Sequence, residues 1–293
     1  MADRIFRSEA GRVRLEGWYR HFLERLPVPV ERREVPTSSG TAHVVLAGDE
    51  SKPTLVCLHG ALDGAAVLLT DLAPLMDRFR IVAVDLPGLS VYGPPFRMSI
   101  EDDSPAIRLL ETIDALKIGR FSLLGVSWGG YVARLTASLA PDRVETLTLI
   151  VPAGLVTGSL WKIVSRVAVP MALYRIIESP YRLRGLYEAI ATTWDADRAA
   201  FMGDAVRDFV IDLRVPAPAS SEVLRRLKMP VLLFAASADP YFPGDKLIER
   251  VTAHIPHAEI ERLAGSKHIP PTTDEFRARL AERIAKFVGD HRG

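Results

Sequence analysis

A serine between two glycines, an aspartate after one strand and a histidine after another are the residues here whose types could do nucleophilic chemistry. Ser127 lies in Gly125-Val126-Ser127-Trp128-Gly129. A serine hydroxyl is a weak nucleophile at neutral pH. It needs a base to take its proton, and the base needs an acid to orient it. Seven histidines are available as the base. His21 falls in an N-terminal helical stretch, His43 in an early strand and His291 in the tail. His254 and His257 flank a helix-to-strand turn, and His59, in His59-Gly60-Ala61, suits a backbone role. His268 follows the last strand-like run and precedes the final helix, so it is the candidate base. Asp239 follows the carboxyl end of the preceding long strand and is the candidate orienting acid. Asp85 also ends a strand, but one earlier in the chain. Asp245 lies beyond Pro243, inside the next helix, where an acid in the first turn is already favoured by the helix dipole. A tetrahedral intermediate also needs two amide donors. The Trp128 N–H at a helix start is one, and the Ala61 N–H is the other, because Gly60 lets the backbone come close.

These residues need elements to carry them. Phe121 to Val126 is apolar and bounded by Gly119 and Gly125, which predicts a strand covered on both faces. Tyr131 to Ala140 predicts a helix that stops at Pro141-Asp142. In a turn this tight the serine is held in a strained conformation, and glycines at 125 and 129 remove collisions on either side. Upstream, apolar residues at Val13, Leu15, Trp18, Phe22 and Leu26 predict an amphipathic helix over Glu9 to Leu26. Glu31 to Val35 and Thr41 to Ala47 predict a hairpin around Ser38-Ser39-Gly40. Strands over Thr54–Leu58, Arg80–Val84, Phe121–Val126 and Val144–Val151 alternate with helices over Ala65–Met76 and Ser104–Leu116. Such β-α repeats predict a mostly parallel sheet with helices on both faces. The rhythm breaks from Leu155 to about Ser221, where short helices interrupted at Pro170, Pro180 and Pro216-Ala217-Pro218 are expected. It resumes with a strand over Pro230–Ala236, a helix from Gly244, a strand over Ala258–Leu263 and a closing helix over Thr273–Val288. In a parallel sheet the active edge is the carboxyl end of the strands. An insertion leaving that edge after Val144–Val151 would lie over Ser127 as a lid.

Composition sets bounds on the function. The chain has 293 residues, 48% hydrophobic and 25% charged, with a formal net charge of +1. That balance gives no electrostatic case for nucleic acid or for an anionic membrane. The single cysteine, Cys57, excludes an intrachain disulfide framework and sits in an apolar run as buried filler. No run reaches the length of a membrane span and no apolar signal core follows Met1-Ala2-Asp3-Arg4, so a cytoplasmic location is expected. No metal-ligand spacing or nucleotide-binding loop occurs, so no cofactor and no metal are expected.

Taken in order, His59-Gly60-Ala61, Asp85-Leu86-Pro87-Gly88, Gly125-Val126-Ser127-Trp128-Gly129-Gly130, Asp239 with Pro243, and Gly265 with His268 resemble the α/β-hydrolase superfamily. The resemblance covers about residues 30 to 290 and is nearest to the capped, carboxylesterase-like serine esterases. The N-terminal helix, the Pro27–Pro29 segment and the hairpin resemble a bacterial carboxylesterase-like subgroup. The chain departs after Asp85: many relatives continue Pro-Gly-His-Gly-x-Ser, whereas here the sequence is Pro87-Gly88-Leu89-Ser90-Val91-Tyr92. That change bears on rim geometry and substrate preference. The resemblance implies an α/β-hydrolase core of residues 1–154 and 222–293, with residues 1–29 as a helical extension, and a helical cap of residues 155–221 inserted after the sixth strand. It implies an acyl-enzyme route for hydrophobic small-molecule esters, with Ser127, Asp239 and His268 as triad and Ala61 and Trp128 as oxyanion donors. A C–C bond hydrolase, a lactonase, a perhydrolase or a non-catalytic small-molecule binder would look the same at this level. Haloalkane dehalogenation calls for a carboxylate at position 127 instead of a hydroxyl.

Overall fold

The computed structural model describes residues 5–292; Met1 to Arg4, the start of the expected extension, lie outside the described residues. Eight strands form one sheet: β1 (Val30–Thr37), β2 (Gly40–Ala47), β3 (Thr54–Leu58), β4 (Arg80–Val84), β5 (Phe121–Val126), β6 (Val144–Ile150), β7 (Val231–Ala236) and β8 (Glu259–Leu263). Their order across the sheet is β1-β2-β4-β3-β5-β6-β7-β8. Strand β2 pairs antiparallel with β1 and β4, and every other pairing is parallel. The register sets Leu58, Gly125, Leu149, Leu233 and Ile260 in one row, so the loops leaving β3, β5, β6, β7 and β8 open on the same edge.

Alternation along each strand fills both faces. On β7, Val231, Leu233 and Ala235 face one apolar layer, while Leu232, Phe234 and Ala236 face the other. The first layer is closed by α3 (Ser104–Ala115), α4 (Trp128–Leu139), α9 (Ser221–Arg225) and α10 (Gly244–His254). The second is closed by α1 (Glu9–Glu24), α2 (Ala65–Asp71) and α11 (Asp274–His291). Cys57 lies in this layer, and burial pushes its thiol pKa well above the ordinary value, so it stays an inert thiol. No described helix is long and apolar enough to cross a bilayer.

Local boundaries differ from the sequence expectation in ways that follow from backbone chemistry. The helix expected over Ala65–Met76 ends at Asp71 and continues as a 3₁₀ turn over Ala73–Leu75. Pro74 has no N–H to donate and disfavours α geometry in the residue before it. Helix α4 begins at Trp128, three residues before the expected Tyr131, because Gly129 and Gly130 serve in its first turn instead of in a loop. In α1 the buried residues are Gly11, Leu15, Tyr19 and Phe22, while Val13, counted above as core-facing, is exposed.

Between β6 and β7 the chain is helical: α5 (Leu160–Ile163), a π turn over Val164–Ala168, α6 (Val169–Ile176), α7 (Pro180–Ile190) and α8 (Ala196–Asp208). Pro170 does not break this run, contrary to expectation. The helix widens into the π turn just before it, with the Val169 N–H bonded five residues back to Val164, and the ring is accommodated there. Helix α8 is clasped by α1. Trp18 Nε1 donates to Asp204 (2.7 Å), Arg14 pairs with Asp208 (2.9 Å), and the Arg7 N–H donates to the Asp208 carbonyl (2.8 Å).

Candidate active site

The β5–α4 junction turns so sharply that Ser127 takes φ 50° and ψ −114°. This is left-handed territory that a β-substituted residue enters only under constraint. Two glycines make the turn possible. A Cβ on Gly125 would lie 2.3 Å from the Gly129 carbonyl oxygen, and one on Gly129 would lie 2.2 Å from the Leu58 carbonyl oxygen. Backbone bonds hold the bend: Ser127 N–H donates to Ile150 O (3.0 Å), and Ala153 N–H donates to Ser127 O (3.0 Å).

Ser127 Oγ lies 3.0 Å from His268 Nε2, and His268 Nδ1 lies 2.8 Å from Asp239 Oδ2. The other carboxylate oxygen, Oδ1, accepts the amides of Tyr241 (2.7 Å) and Phe242 (3.1 Å). With every Asp239 acceptor facing a donor, the proton between His268 and Asp239 belongs on Nδ1. That leaves Nε2 free to accept from Ser127 Oγ–H. The rings of Tyr241 and Phe242 pack against the imidazole edge at 4.8 and 5.6 Å between centroids. Ser127 and Asp239 are both nearly buried. Asp245 sits in the first turn of α10 and pairs with Arg262, away from the histidine.

The Trp128 N–H is the first donor of α4, and the Ala61 N–H sits in the loop after β3. Among the described residues, neither donates to a protein acceptor. The Ala61 loop lies against the serine: a Cβ on Gly60 would be 3.4 Å from Ser127 Cβ.

That loop is fixed from behind by a buried cluster around Asp85, which does not approach His268. Asp85 Oδ2 accepts from Tyr19 Oη (2.6 Å) and His43 Nδ1 (2.7 Å), and Oδ1 accepts from Ala65 N–H (2.9 Å) and Ser90 Oγ. Burial opposes the charge on Asp85, but the hydrogen bonds from His43 and the Ser90 hydroxyl outweigh it and hold the carboxyl below its ordinary value. His59 is fully buried, and desolvation lowers its pKa, keeping it neutral. Its Nδ1–H donates to Gly60 O (2.7 Å) and its Nε2 accepts from Leu86 N–H (2.9 Å), which ties the Gly60-Ala61 peptide to the strand end at Asp85.

The stretch between β6 and β7 reaches both loops that carry the acid and the histidine. A Cβ on Gly158 would meet the carbonyl oxygens of Pro240 and Tyr241 at 2.5 and 2.6 Å. Thr192, just after α7, brackets His268. Its N–H donates to Ile269 O (3.0 Å), its Oγ1 donates to the same carbonyl (2.8 Å) and its Oγ1 accepts from Lys267 N–H (2.9 Å). Sequence reasoning missed Tyr19, His43 and Thr192. Tyr19 carried a signal, since it lies four residues after Leu15 on the buried stripe. Thr192 carried none, because its partners are more than seventy residues away.

Comparison with known proteins agrees with this architecture. An uncharacterized carboxylesterase of Bacillus subtilis, nap, is 22% identical over 96% of this chain and 94% of its own length. Haloalkane dehalogenase 2 of Mycobacterium tuberculosis is 27% identical over 87% of this chain and 96% of its own. The crystal structure of naproxen esterase from Bacillus subtilis superposes with a TM-score of 0.80 at 22% identity, covering 96% of this chain and 98% of that one. The profile of the alpha/beta hydrolase family matches residues 55–283, a stretch that takes in the glycine-flanked serine, Asp239 and His268 on their shared sheet edge, and the chain belongs to that family.

Proposed function

We propose that this protein is a serine carboxylesterase acting on hydrophobic small-molecule esters through an acyl-enzyme. The reading is carried by the unbroken chain of contacts from Ser127 Oγ through His268 to Asp239, at 3.0 and 2.8 Å. Ser127 Oγ attacks the ester carbonyl as His268 Nε2 takes its proton. Asp239 stabilises the imidazolium, and the amides of Ala61 and Trp128 hold the oxyanion, each contributing roughly 3 kcal/mol to the transition state. The proton on Nε2 passes to the leaving alkoxide, and the alcohol departs. Water then attacks the acyl-serine with His268 again as base, releasing the acid and restoring the hydroxyl. Displacing halide from carbon calls for a carboxylate nucleophile, and the hydroxyl at position 127 favours acyl transfer instead. Residues 155–221 act as the cap. In support, the segment touches the Asp239 loop at Gly158 and the His268 loop at Thr192. Hydrophobic acyl or aromatic esters suit a site under an apolar cap, where burial supplies affinity with little polar readout.

The test is turnover of short and medium p-nitrophenyl acyl esters by wild type and Ser127→Ala. Wild type should turn over and be labelled at Ser127 by a fluorophosphonate, while Ser127→Ala should lose both. No turnover together with no labelling overturns the esterase reading, and unchanged turnover in Ser127→Ala overturns the nucleophile.

A further inference from the structure

The surface of the inserted helices carries an apolar stripe that the catalytic reading leaves unused. Along the run from Leu160 to Ile176, Trp161, Val164, Val169, Leu173 and Ile176 are all exposed large hydrophobics, and Leu160 joins them at its start. Their spacings are three, five, four and three residues. The five-residue step would leave the stripe in a regular α-helix, but it spans the π turn over Val164–Ala168, whose extra residue restores the register. The opposite side of the run is buried through Val167 and Tyr174, so the stripe faces outward. Exposure is high where a soluble protein would hide such groups: Trp161 76%, Ile176 77%, and Tyr181 in the first turn of α7 87%.

The charges within the stripe's own run have one sign. From Leu160 to Ile177 there is no acidic residue, and Lys162 and Arg166 lie in the same run. These two and Arg182 have no carboxylate partner among the described residues, whereas most surface arginines elsewhere are paired. The acids near the run, Glu178 and Asp204, are both held by Arg207. The net charge of +1 averages this segregation away, which is why composition alone argued against an anionic membrane.

We propose that this face of the inserted helices, centred on Trp161 and Ile176, docks the protein onto an anionic lipid–water interface. Exposed aliphatic residues enter the acyl boundary, Trp161 and Tyr181 sit at headgroup level, and Lys162, Arg166 and Arg182 meet the lipid phosphates. A second copy of the chain fits less well. A two-fold contact would lay the patch on itself and set the unpaired cations against their own copies.

Vesicle flotation tests the proposal without using catalysis, so its outcome is separate from that of the esterase reading. Ser127→Ala should float like wild type. The full chain should float with vesicles of phosphatidylcholine containing one third phosphatidylglycerol, more weakly with phosphatidylcholine alone, and should be released in part by 0.5 M salt. The pair Trp161→Ser with Ile176→Ser should cut the bound fraction at least tenfold while keeping wild-type turnover of a soluble short-chain ester, which reports an intact fold. If that variant loses soluble turnover, Lys162→Glu with Arg166→Glu supplies the same contrast. Wild type that stays unbound on anionic vesicles, variants that bind as well as wild type, or a dimer in sedimentation that only the Trp161 variant dissociates, with no lipid binding, would each overturn it.

Discussion

Asp239→Asn changes one atom and should reverse the proton logic of the site. In the wild-type chain Oδ1 accepts two amides, from Tyr241 and Phe242, and Oδ2 accepts His268 Nδ1–H. An asparagine can keep both amide bonds only with its carbonyl oxygen at the Oδ1 position. Flipping it would point the NH2 at two N–H donors and leave them unsatisfied in a buried place, at a cost of about 1–3 kcal/mol each. The NH2 therefore faces His268 Nδ1, which must become an acceptor, and the ring proton moves to Nε2. A protonated Nε2, 3.0 Å from Ser127 Oγ, cannot take the serine proton. The same substitution in the serine-protease triad lowers kcat by about 10⁴ through the wrong tautomer, which is about 5.5 kcal/mol of activation free energy. A loss of that size is expected here, with KM and melting temperature close to wild type because the amide bonds survive. Turnover of p-nitrophenyl butyrate and the rate of fluorophosphonate labelling at Ser127 should fall together. A variant within tenfold of wild-type kcat would refute the tautomer argument and with it the assignment of Asp239 as orienting acid.

Thr192→Val removes the hydroxyl that bonds both residues flanking His268 while keeping the backbone bond to Ile269. Loosening the loop should cost roughly tenfold in kcat, since small misplacements of catalytic groups are expensive. KM should change little and Thr192→Ser should restore the rate; a rate loss that Ser does not rescue would contradict the bracketing role. Asp63 offers a pH test. Burial, only partly offset by Arg198, pushes its carboxyl up to about 7, and its Oδ1 has no hydrogen-bond partner. The folded chain thus keeps a proton that the unfolded chain releases near pH 4. The stability Asp63 allows is fully present below that value and is lost as pH rises through about 7. Asp63→Asn cannot ionise, so its stability relative to wild type should improve by about 2.5 kcal/mol between pH 5 and pH 8, read from urea unfolding at both. An identical difference at the two pH values would refute the raised pKa.

The sheet was legible because a strand covered on both faces is mostly apolar or β-branched, as Thr54–Leu58, Phe121–Val126 and Val144–Ile150 are. Knowing which strand each residue follows also tells which edge it reaches, so Ser127, Asp239 and His268 could be grouped before any coordinate. Less of the helical insert could be read. Its prolines are ambiguous on paper: Pro180 opens a new helix, while Pro170 is absorbed by a π turn. Periodicity also misassigned Val13 and passed over Tyr19, because a tyrosine whose hydroxyl meets a buried carboxylate belongs in the core only if that partner is known. Long-range polar partners leave no local pattern, which is why the Asp85 cluster and Thr192 emerged only in three dimensions.

The strained serine and its two supporting loops are best understood together. Holding a non-glycine residue in a sparsely populated conformation costs about 1–3 kcal/mol. The bonds from Ser127 N–H to Ile150 and from Ala153 N–H to Ser127 O each contribute about 1 kcal/mol, enough to offset most of that cost locally. Ala61 and His268 are braced mainly by residues distant in the chain. The first depends on His59 and the Asp85 cluster, into which α1 inserts Tyr19. The second depends on Thr192, at the end of α7. Helix α1 also grips α8 through Trp18 and Arg14. One N-terminal helix therefore braces the loop of the candidate oxyanion donor from below and the inserted helices from the side. An insert that shifts in its entirety would pull on the His268 loop through Thr192, and α6 would move with it, because Arg175 Nε donates to the Val206 carbonyl of α8 (2.9 Å).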